Sequence, residues 1–387
     1  MHIGIDATTW TLPRGFGRHA RCLLGALVAL EQSHRYTFFI DFDPIGAQLP
    51  EGVRVVRVAT GAATVHSASE GKRRSLKDMW RLSRAFSNSS LDLLFFPTAF
   101  SFVPVFSRAR KFVMIHDVTA DLFPRLTFGS WRARVFWRLK LWLARWQACK
   151  TLTVSEHSRR GMAKQFHLPV DSIGVIPEAA APHFRPLPQP GLSERLRRIG
   201  IAAGRRLLVY VGGFAPFKNL PRLVSVFGKL ASRAEFSDVD LILVGENLQE
   251  TFFSTAAQLL RQVTEAGLAE RVLFTGFVGD EDLVDLLNLA TLLVLTSFNE
   301  GFGLPALEAA ACGCPVLATL SSPLPGLLRG GGLYVDPHSS EDIEAALAQI
   351  LSDEPMRQQM GRAALAAAGE LTWESAARIL LRTFEEA

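Results

Sequence analysis

Short apolar runs recur along the 387-residue chain, separated by stretches with helical periodicity. In the first half these runs are HIGIDA, YTFFIDF, VRVVRV, DLLFFP, KFVMIHD and TLTVSE. Several lack the alternation of a half-buried strand, and continuous apolar strands are typical of parallel sheets covered on both faces. Because amphipathic stretches such as RHARCLLGALVALEQ lie between them, the pattern predicts a doubly wound α/β domain.

A proline-rich segment, residues 177–191, interrupts this pattern and indicates a linker, because proline lacks a backbone N–H and ends helices. The alternation then restarts with RLLVYVGG, VDLILVGE, RVLFTGFV, LLVLTS, PVLAT and GLYVDP, and two helical stretches close the chain. We therefore predict two Rossmann-like domains, residues 1–180 and 190–370, facing an interdomain cleft. The helix at about 371–387 is expected to pack back on the first domain. Ligands of such sheets bind at the carboxyl ends of the strands.

Composition is that of a globular protein, with 48% apolar and 20% charged residues. The start, MHIGIDATTW, does not have the pattern of a signal peptide, and no apolar run approaches the roughly 20 residues of a membrane span. Residues 1–185 hold 26 Lys and Arg against 13 Asp and Glu, and residues 186–387 hold 16 against 24. The basic first half predicts anionic partners such as phosphates or lipid head groups.

The four cysteines do not form a recognisable metal or redox motif. Cys312 and Cys314 are too close together for a CxxC motif, and the sequence has no second closely spaced pair that could complete a metal site. We expect buried free thiols in a reducing cytosol.

The stretch NEGFGLPALEAAACGCP, residues 299–315, has the composition of an anion site. Gly301 and Gly303 allow close backbone approach, and a helix that begins near Pro305 presents free N–H groups to a diphosphate. Glu308, inside the helix, is placed to bind ribose hydroxyls, and Glu300 would face the group that the diphosphate carries. The alternative for each acid alone is a solvated Glu300 and a Glu308 that interacts with the helix dipole.

The wider string SFNEGFGLPALEAAACGCPVLAT resembles the E-x7-E signature of retaining GT-B glycosyltransferases, especially the nucleotide-sugar-dependent family 4. Further segments resemble that family in the same order along the chain: GFGRHARCLLGAL, MIHDVTADLFP, TVSEHSRRGMAKQF, VGGFAPFKNLPRLVSVF, LFTGFVGDEDLVDLLNLA, GGLYVDP and LTWES. The resemblance covers most of the chain and implies the GT-B fold.

The resemblance also implies roles for individual residues. Glu300, His116 and Lys218 correspond to catalytic positions: Glu300 and His116 would contact the donor sugar, and Lys218 its phosphates. Glu308 would bind the ribose. The other nucleotide-sugar-binding positions are Gly301, Phe302, Gly303, Leu304, Gly213, Asn219, Gly15 and Gly17.

Plainer roles remain open for several of these residues. Lys218 is also compatible with a surface charge after a strand, and His116 with a residue that satisfies nearby backbone groups. Gly15 and Gly17 are equally compatible with a simple strand-to-helix turn.

Two positions depart from the family pattern. Gly213 stands where the family commonly has a phosphate-binding arginine, and Pro325-Gly326 stands where many relatives have glutamate after Leu-Pro. The group that replaces the arginine is left open. No metal or other cofactor is expected, because the family meets phosphate charge with lysine and a helix terminus. Asp238-Val239-Asp240 has the form of a metal-binding DxD motif but indicates a turn that enters a strand.

Two basic segments bear on partners. Residues 131–150 hold four Trp and six Arg or Lys, which suits a bilayer interface, although an ordinary packed helix is the alternative. The loop at residues 63–80 is also basic and would reach toward the acceptor. No nucleic-acid partner is expected, and the predicted location is cytoplasmic, peripheral at the inner face of a bacterial plasma membrane.

The sequence thus predicts a retaining, metal-independent hexosyltransferase of cell-surface polysaccharide biosynthesis, for example of lipopolysaccharide. The donor would be a nucleoside-diphosphate sugar and the acceptor a glycan or lipid-linked glycan. GDP-mannose is the first choice, since GGFAPFKN and IHDVTADLFP resemble the mannosyltransferase-like branch. Alternatives are a glucosyl-, galactosyl- or rhamnosyltransferase, or a nucleotide-sugar epimerase or hydrolase of the same architecture. A dinucleotide-dependent oxidoreductase is disfavoured by the lack of a G-x-G-x-x-G motif followed by an acid.

Overall fold

The computed structural model describes residues 1–13, 15–61, 63–64, 75–245 and 254–387. Most of the predicted basic loop at 63–80 lies outside these residues. The chain divides into two compact units: unit 1 holds Met1–Pro124, Phe128–Glu178 and Thr372–Ala387, and unit 2 holds Arg125–Thr127 and Ala179–Leu371. Each unit is built on one parallel sheet.

The sheet of unit 1 has seven strands in the order β3-β2-β1-β4-β5-β6-β7. Their bounds are β1 His2–Asp6, β2 Arg35–Ile40, β3 Arg54–Arg57, β4 Leu93–Phe96, β5 Arg110–Met114, β6 Lys150–Thr153 and β7 Ile173–Val175. The six apolar runs of the first half form β1 to β6. The sequence pattern did not indicate β7, because three residues centred on Gly174 carry too little hydrophobicity. A Cβ at Gly174 would come within 2.7 Å of the Leu152 side chain, so close packing against β6 explains that glycine.

The sheet of unit 2 has six strands in the order β10-β9-β8-β11-β12-β13. Their bounds are β8 Arg206–Val211, β9 Val239–Val244, β10 Val272–Gly276, β11 Leu292–Leu295, β12 Val316–Thr319 and β13 Gly332–Val335. All six predicted runs form strands. The doubly wound α/β prediction is confirmed for both sheets, and each reverses its strand order at the centre.

Helices connect the strands. Their bounds are Phe16–Leu30, Leu76–Ser87, Thr119–Leu122, Pro124–Thr127, Trp131–Gln147, Glu156–Phe166, Glu194–Arg198, Leu220–Ala231, Ala256–Glu265, Asp280–Leu289, Leu304–Ala311, Leu324–Leu328, Ser340–Ser352, Glu354–Gly369 and Trp373–Glu386. The chain closes with three long helices where the sequence predicted two. The missed helix, Glu354–Gly369, buries small residues such as Ala364, Ala367 and Ala368, so its apolar stripe is weak.

The C-terminal helix Trp373–Glu386 belongs to unit 1 and packs against the helix Phe16–Leu30. The ring of Phe384 contacts Phe95 and Phe112 edge-on, with centroids 5.4 and 4.9 Å apart. Burying such a ring contributes on the order of 2 kcal/mol to folding. This contact anchors the end of the chain to the first sheet.

All four cysteines are free thiols. Cys312 and Cys314 are buried as predicted. Cys22 is only half-buried and Cys149 is exposed, so the prediction of burial is wrong for these two residues. None of the helices in the described ranges combines the length and the hydrophobicity needed to cross a bilayer.

Candidate active site

In unit 2 the strand order reverses between β8 and β11, and both strands lead into the candidate site. Lys218 follows the carboxyl end of β8, and Glu300 follows that of β11. The Lys218 ammonium donates to Glu300 Oε1 at 2.7 Å. Parallel α/β sheets bind ligands at such a reversal point, so two predicted residues meet where the fold favours a site.

The turn that carries Lys218 is fixed by Asn219. Pro216–Lys218 form a single 3-10 turn, and Asn219 takes the left-handed conformation with φ 60° before the helix Leu220–Ala231 begins. The Asn219 side-chain amide donates to the carbonyls of Thr296 at 3.1 Å and Pro337 at 2.8 Å. Both amide protons therefore tie the lysine turn to neighbouring loops, which gives Asn219 a structural role. Its predicted contact with the donor stays a prediction.

Glu300 is held on three sides although it lies in a loop. Besides Lys218, the Ser297 hydroxyl donates to Glu300 Oε1 at 2.5 Å, and the Glu300 N–H donates to the Ser321 carbonyl at 3.0 Å. Glu300 is 8% exposed, so its carboxylate is nearly withdrawn from water. Such a fixed acid is suited to binding one hydroxyl pattern, because it does not reorganise when a ligand arrives.

The helix Leu304–Ala311 begins directly after Gly303, which has φ 87°. A Cβ at Gly303 would lie 2.9 Å from the Leu324 side chain, so both conformation and space require glycine here. Pro305 occupies the first turn, where its missing N–H costs nothing. Phe302 is buried and Leu304 is half-buried. The start of this helix offers free N–H groups to an anion.

The remaining predicted positions in unit 2 are Glu308, Gly301 and Gly213. Glu308 and Gly301 are buried, with Glu308 3% exposed on the helix Leu304–Ala311. The Gly213 carbonyl accepts a hydrogen bond from the Tyr210 hydroxyl at 2.6 Å. The contacts of these residues within the protein do not test a role in binding a nucleotide sugar. Each role stays a prediction.

The aspartates of the DxD-like triplet lie at the amino end of β9, whereas Lys218 follows the carboxyl end of β8. Arg206 pairs with Asp238, while Arg205 and Arg271 both pair with Asp240. These arginines occupy the carboxylates as structural ion pairs.

Unit 1 gathers a second polar cluster around His116, which follows β5. His116 Nδ1 lies 3.5 Å from Glu178 Oε1, and its Nε2 lies 2.9 Å from the Pro97 carbonyl oxygen. His19 Nδ1 lies 2.7 Å from the same oxygen of Glu178. Burial raises the pKa of Glu178, but hydrogen bonds from His116 and His19 outweigh it and lower that pKa to about 2. The sequence singled out His116 alone.

The predicted glycine loop of unit 1 surrounds the start of the helix Phe16–Leu30. Gly15 has φ 56° and precedes the helix. A Cβ at Gly17 would lie 2.0 Å from the Leu12 carbonyl oxygen, so packing alone explains this glycine. A ligand contact for either residue stays a prediction.

His19, His116 and Glu178 are also the described residues whose donor atoms lie close enough together, within 4.8 Å, to share a metal ion. Tetrahedral zinc with bonds of about 2.0–2.1 Å would keep its ligand atoms about 3.3 Å apart. The 2.7 Å separation of His19 Nδ1 and Glu178 Oε1 is shorter and is that of a direct hydrogen bond. His19 and Glu178 form a hydrogen-bonded pair, and His116 Nδ1 lies 3.5 Å from the same carboxylate oxygen.

Three residues of these clusters were missed by sequence reasoning: Ser297, His19 and Glu178. Ser297 stands three positions before Glu300, and Glu178 stands shortly after β7, so each follows the carboxyl end of a parallel strand. That position is the one signal that could have drawn attention to them. His19 lies in a helix and carries no comparable signal.

Comparison with known proteins agrees with this architecture. Residues 13–182 match the family model Glycosyltransferase Family 4, and residues 193–366 match the model Glycosyl transferases group 1. The solved sucrose-phosphate synthase of Thermosynechococcus elongatus superposes with a TM-score of 0.77 at 18% identity, covering 100% of this chain and 98% of its own. Anabaena Alr3699/HepE, solved in complex with UDP and glucose, superposes with a TM-score of 0.74 at 18% identity, covering 100% and 99%.

Two curated relatives match about half of the chain. D-inositol 3-phosphate glycosyltransferase of Corynebacterium diphtheriae is 33% identical over 220 residues, 56% of this chain and 51% of its own length. O-antigen chain mannosyltransferase B of Escherichia coli is 32% identical over 225 residues, 58% of this chain and 57% of its own. The chain thus spans about half the length of the curated relatives it matches.

Two Rossmann-like parallel sheets, one in each unit, and the superposition on solved glycosyltransferases over the whole chain define the fold class as GT-B. The two family models together account for most of the chain, one in each half. The first half of the chain is thus similar to Glycosyltransferase Family 4 and the second half to the group 1 glycosyl transferases, so both halves match glycosyltransferase domains.

Proposed function

We propose that the protein is a retaining hexosyltransferase that moves a sugar from a nucleoside diphosphate to a glycan or lipid-linked glycan. The observation that carries this proposal is the Lys218–Glu300 pair beside the helix start at Gly303. Lys218 and the free N–H groups of the helix bind the diphosphate, and the buried Glu300 accepts hydrogen bonds from hydroxyls of the sugar. Mannose from GDP-mannose is the first candidate, supported by the relative named as an O-antigen mannosyltransferase.

The chemistry follows from charge. When the sugar leaves its diphosphate, negative charge develops on the phosphate oxygens, and Lys218 together with the helix N–H groups stabilises it. No metal is required by this scheme. The acceptor hydroxyl attacks from the face that the diphosphate leaves, and the departing phosphate takes the acceptor proton. The configuration of the sugar is then retained.

Glu308 provides the binding test. We expect Glu308→Ala to weaken binding of GDP about tenfold or more, because a hydrogen bond to a charged group contributes roughly 1.5–3 kcal/mol. Isothermal titration calorimetry with GDP and with UDP, both in EDTA, measures the effect and compares the two bases. Glu344→Ala is the control, since Glu344 pairs with Arg233 and Lys229 in the same unit.

Three outcomes would contradict the scheme. Equal GDP affinity in Glu308→Ala, with an unchanged melting temperature, would remove Glu308 from the ribose site. Binding that EDTA abolishes and Mn²⁺ restores would contradict metal independence. Rapid turnover of the donor without any acceptor would favour a nucleotide-sugar hydrolase or epimerase.

We also propose that unit 1 rests on a membrane surface through the helix Trp131–Gln147. Five large apolar side chains of this helix are exposed at spacings of three or four residues: Trp131, Val135, Leu139, Trp142 and Trp146. At 3.6 residues per turn they fall within an arc of about 80°. Leu141 and Ala144 are buried on the other side of the helix. Arg132 and Arg138 flank the stripe, so the surface combines aromatic rings with positive charge, as an anionic bilayer interface requires.

Vesicle flotation tests this surface. We expect the wild type to float with vesicles that contain anionic phospholipid, and the triple variant Trp131→Ser, Trp142→Ser, Trp146→Ser to stay at the bottom. These rings are 68%, 53% and 69% exposed, so the substitutions leave the core intact. Trp80→Ser, which alters an exposed tryptophan on another helix, is the control. Absence of flotation in the wild type would overturn the proposal. A wild type that is a dimer in solution, and that the triple variant makes monomeric, would also overturn it.

A further inference from the structure

The cluster His19–Glu178–His116 in unit 1 contains one buried anion and two candidate cations. Glu178 is 6% exposed and ionised, because its hydrogen bonds hold its pKa at about 2. A buried carboxylate requires a positive partner, since an unpaired charge away from water is costly. Within the described ranges, the titratable groups that face it are His19, from the helix Phe16–Leu30, and His116, which follows β5. One of these two rings therefore carries the matching proton.

His19 fits the neutral form. Its Nδ1–H donates to Glu178, and its Nε2 is buried without a hydrogen-bond partner among the described residues. A second proton on Nε2 would leave a cationic N–H buried and unpaired, whereas a bare lone pair there costs less. Burial and the nearby His116 ring both lower the pKa of His19, against the opposing effect of Glu178.

His116 fits the charged form, because both of its nitrogens face oxygen atoms that can only accept. Nε2 lies 2.9 Å from the Pro97 carbonyl oxygen, and Nδ1 lies 3.5 Å from the Glu178 carboxylate. A neutral imidazole carries one proton and would turn a lone pair toward one of these acceptors. Around the ring, Phe16 packs edge-on with centroids 4.9 Å apart, and His19 does so at 4.5 Å. The carboxylate of the following residue, Asp117, accepts from the Thr119 N–H.

We propose that Glu178 holds His116 as a doubly protonated imidazolium, so that His116 serves as a fixed cation and hydrogen-bond donor and not as a base. Glu178 is thus a positioning residue, which acts through His116. The proton assignment rests on the geometry of unit 1 alone. The use of the charge in sugar transfer rests on the proposed function.

Selective ¹⁵N labelling of histidine tests the proton assignment without any activity measurement. At neutral pH we expect His116 of the wild type to show two protonated ring nitrogens, and His19 to show one proton, on Nδ1. The variant His116→Gln assigns the signals by removing one set. In Glu178→Gln, His116 should keep the Nε2 proton that Pro97 accepts and lose the other. Glu156→Gln, at a half-exposed glutamate paired with Arg159 and Arg160, should leave the His116 and His19 signals unchanged.

Activity then tests the use of the charge. We expect kcat/KM to fall about tenfold or more in Glu178→Gln. The pH profile of kcat/KM in Glu178→Gln should also differ from that of the wild type, because the carboxylate beside the His116 ring is gone.

The outcomes are separable. A bare nitrogen on His116 in the wild type, or two protons that persist in Glu178→Gln, would overturn the proton assignment. Spectra as expected with an unchanged pH profile would overturn the use of the charge in transfer. If the wild type turns over no nucleotide sugar, the proposed function fails, while the spectra still decide the protonation of His116.

Discussion

Replacing Glu300 by Gln should lower kcat by roughly 100-fold or more, with little loss of nucleotide affinity. The substitution keeps the size of the side chain but removes the negative charge that Lys218 and Ser297 surround. A preorganised group that acts on the reacting sugar contributes mainly to the transition state, and losses of 10²–10³ are typical for one such group. Steady-state kinetics with a saturating nucleotide-sugar donor measures the change in kcat.

Binding of the free nucleoside diphosphate should stay within about threefold of the wild type, or tighten. The reason is that Glu300 engages the Lys218 ammonium at 2.7 Å, and a neutral amide competes less for that cation. Calorimetry separates this effect from turnover. Glu344→Gln, at another glutamate that pairs with Lys and Arg in unit 2, should change neither quantity. Wild-type turnover in Glu300→Gln would show that the carboxylate has no part in the reaction.

The strands of this protein could be predicted because each buried parallel strand is a continuous apolar run. RLLVYV and VDLILV, for example, form β8 and β9 with every residue but Arg206 buried. The pattern failed where hydrophobicity is weak: β7 is three residues long and centred on Gly174, and the helix Glu354–Gly369 buries alanines. Hydrophobic patterns therefore predict elements that bury large apolar side chains. They miss elements that bury only small residues, even where the backbone is regularly paired.

The site could be predicted in part for a different reason. Lys218 and Glu300 stand directly after strands, so parallel topology alone brings them to one edge of the sheet. Their 2.7 Å contact depends on the turn that Asn219 fixes and on the Ser297 hydroxyl, which no periodicity encodes. Contacts over long sequence separations, such as that of His19 with Glu178, escape local patterns altogether.

Replacing Lys218 by Met should lower kcat/KM about 1,000-fold, because Gly213 cannot supply the second cation that the family commonly has. The linear methionine keeps most of the aliphatic length and removes the charge. Binding of the nucleoside diphosphate should weaken about tenfold or more, since a charge-assisted hydrogen bond to phosphate is lost. Lys229→Met is the control: this exposed lysine pairs with Glu344 and should be neutral in both measurements.

The same variant helps to decide between two roles of the positive charge on Lys218. The ammonium either binds the phosphate or neutralises Glu300. Lys218→Met leaves the nearly buried Glu300 carboxylate with the Ser297 hydroxyl, which is destabilising by itself. The double variant Lys218→Met, Glu300→Gln removes that unpaired charge and should recover the melting temperature. If Lys218 binds the departing phosphate, nucleoside-diphosphate affinity stays low in the double variant. Affinity that returns to the wild-type value together with the melting temperature would mean that Lys218 only balances Glu300.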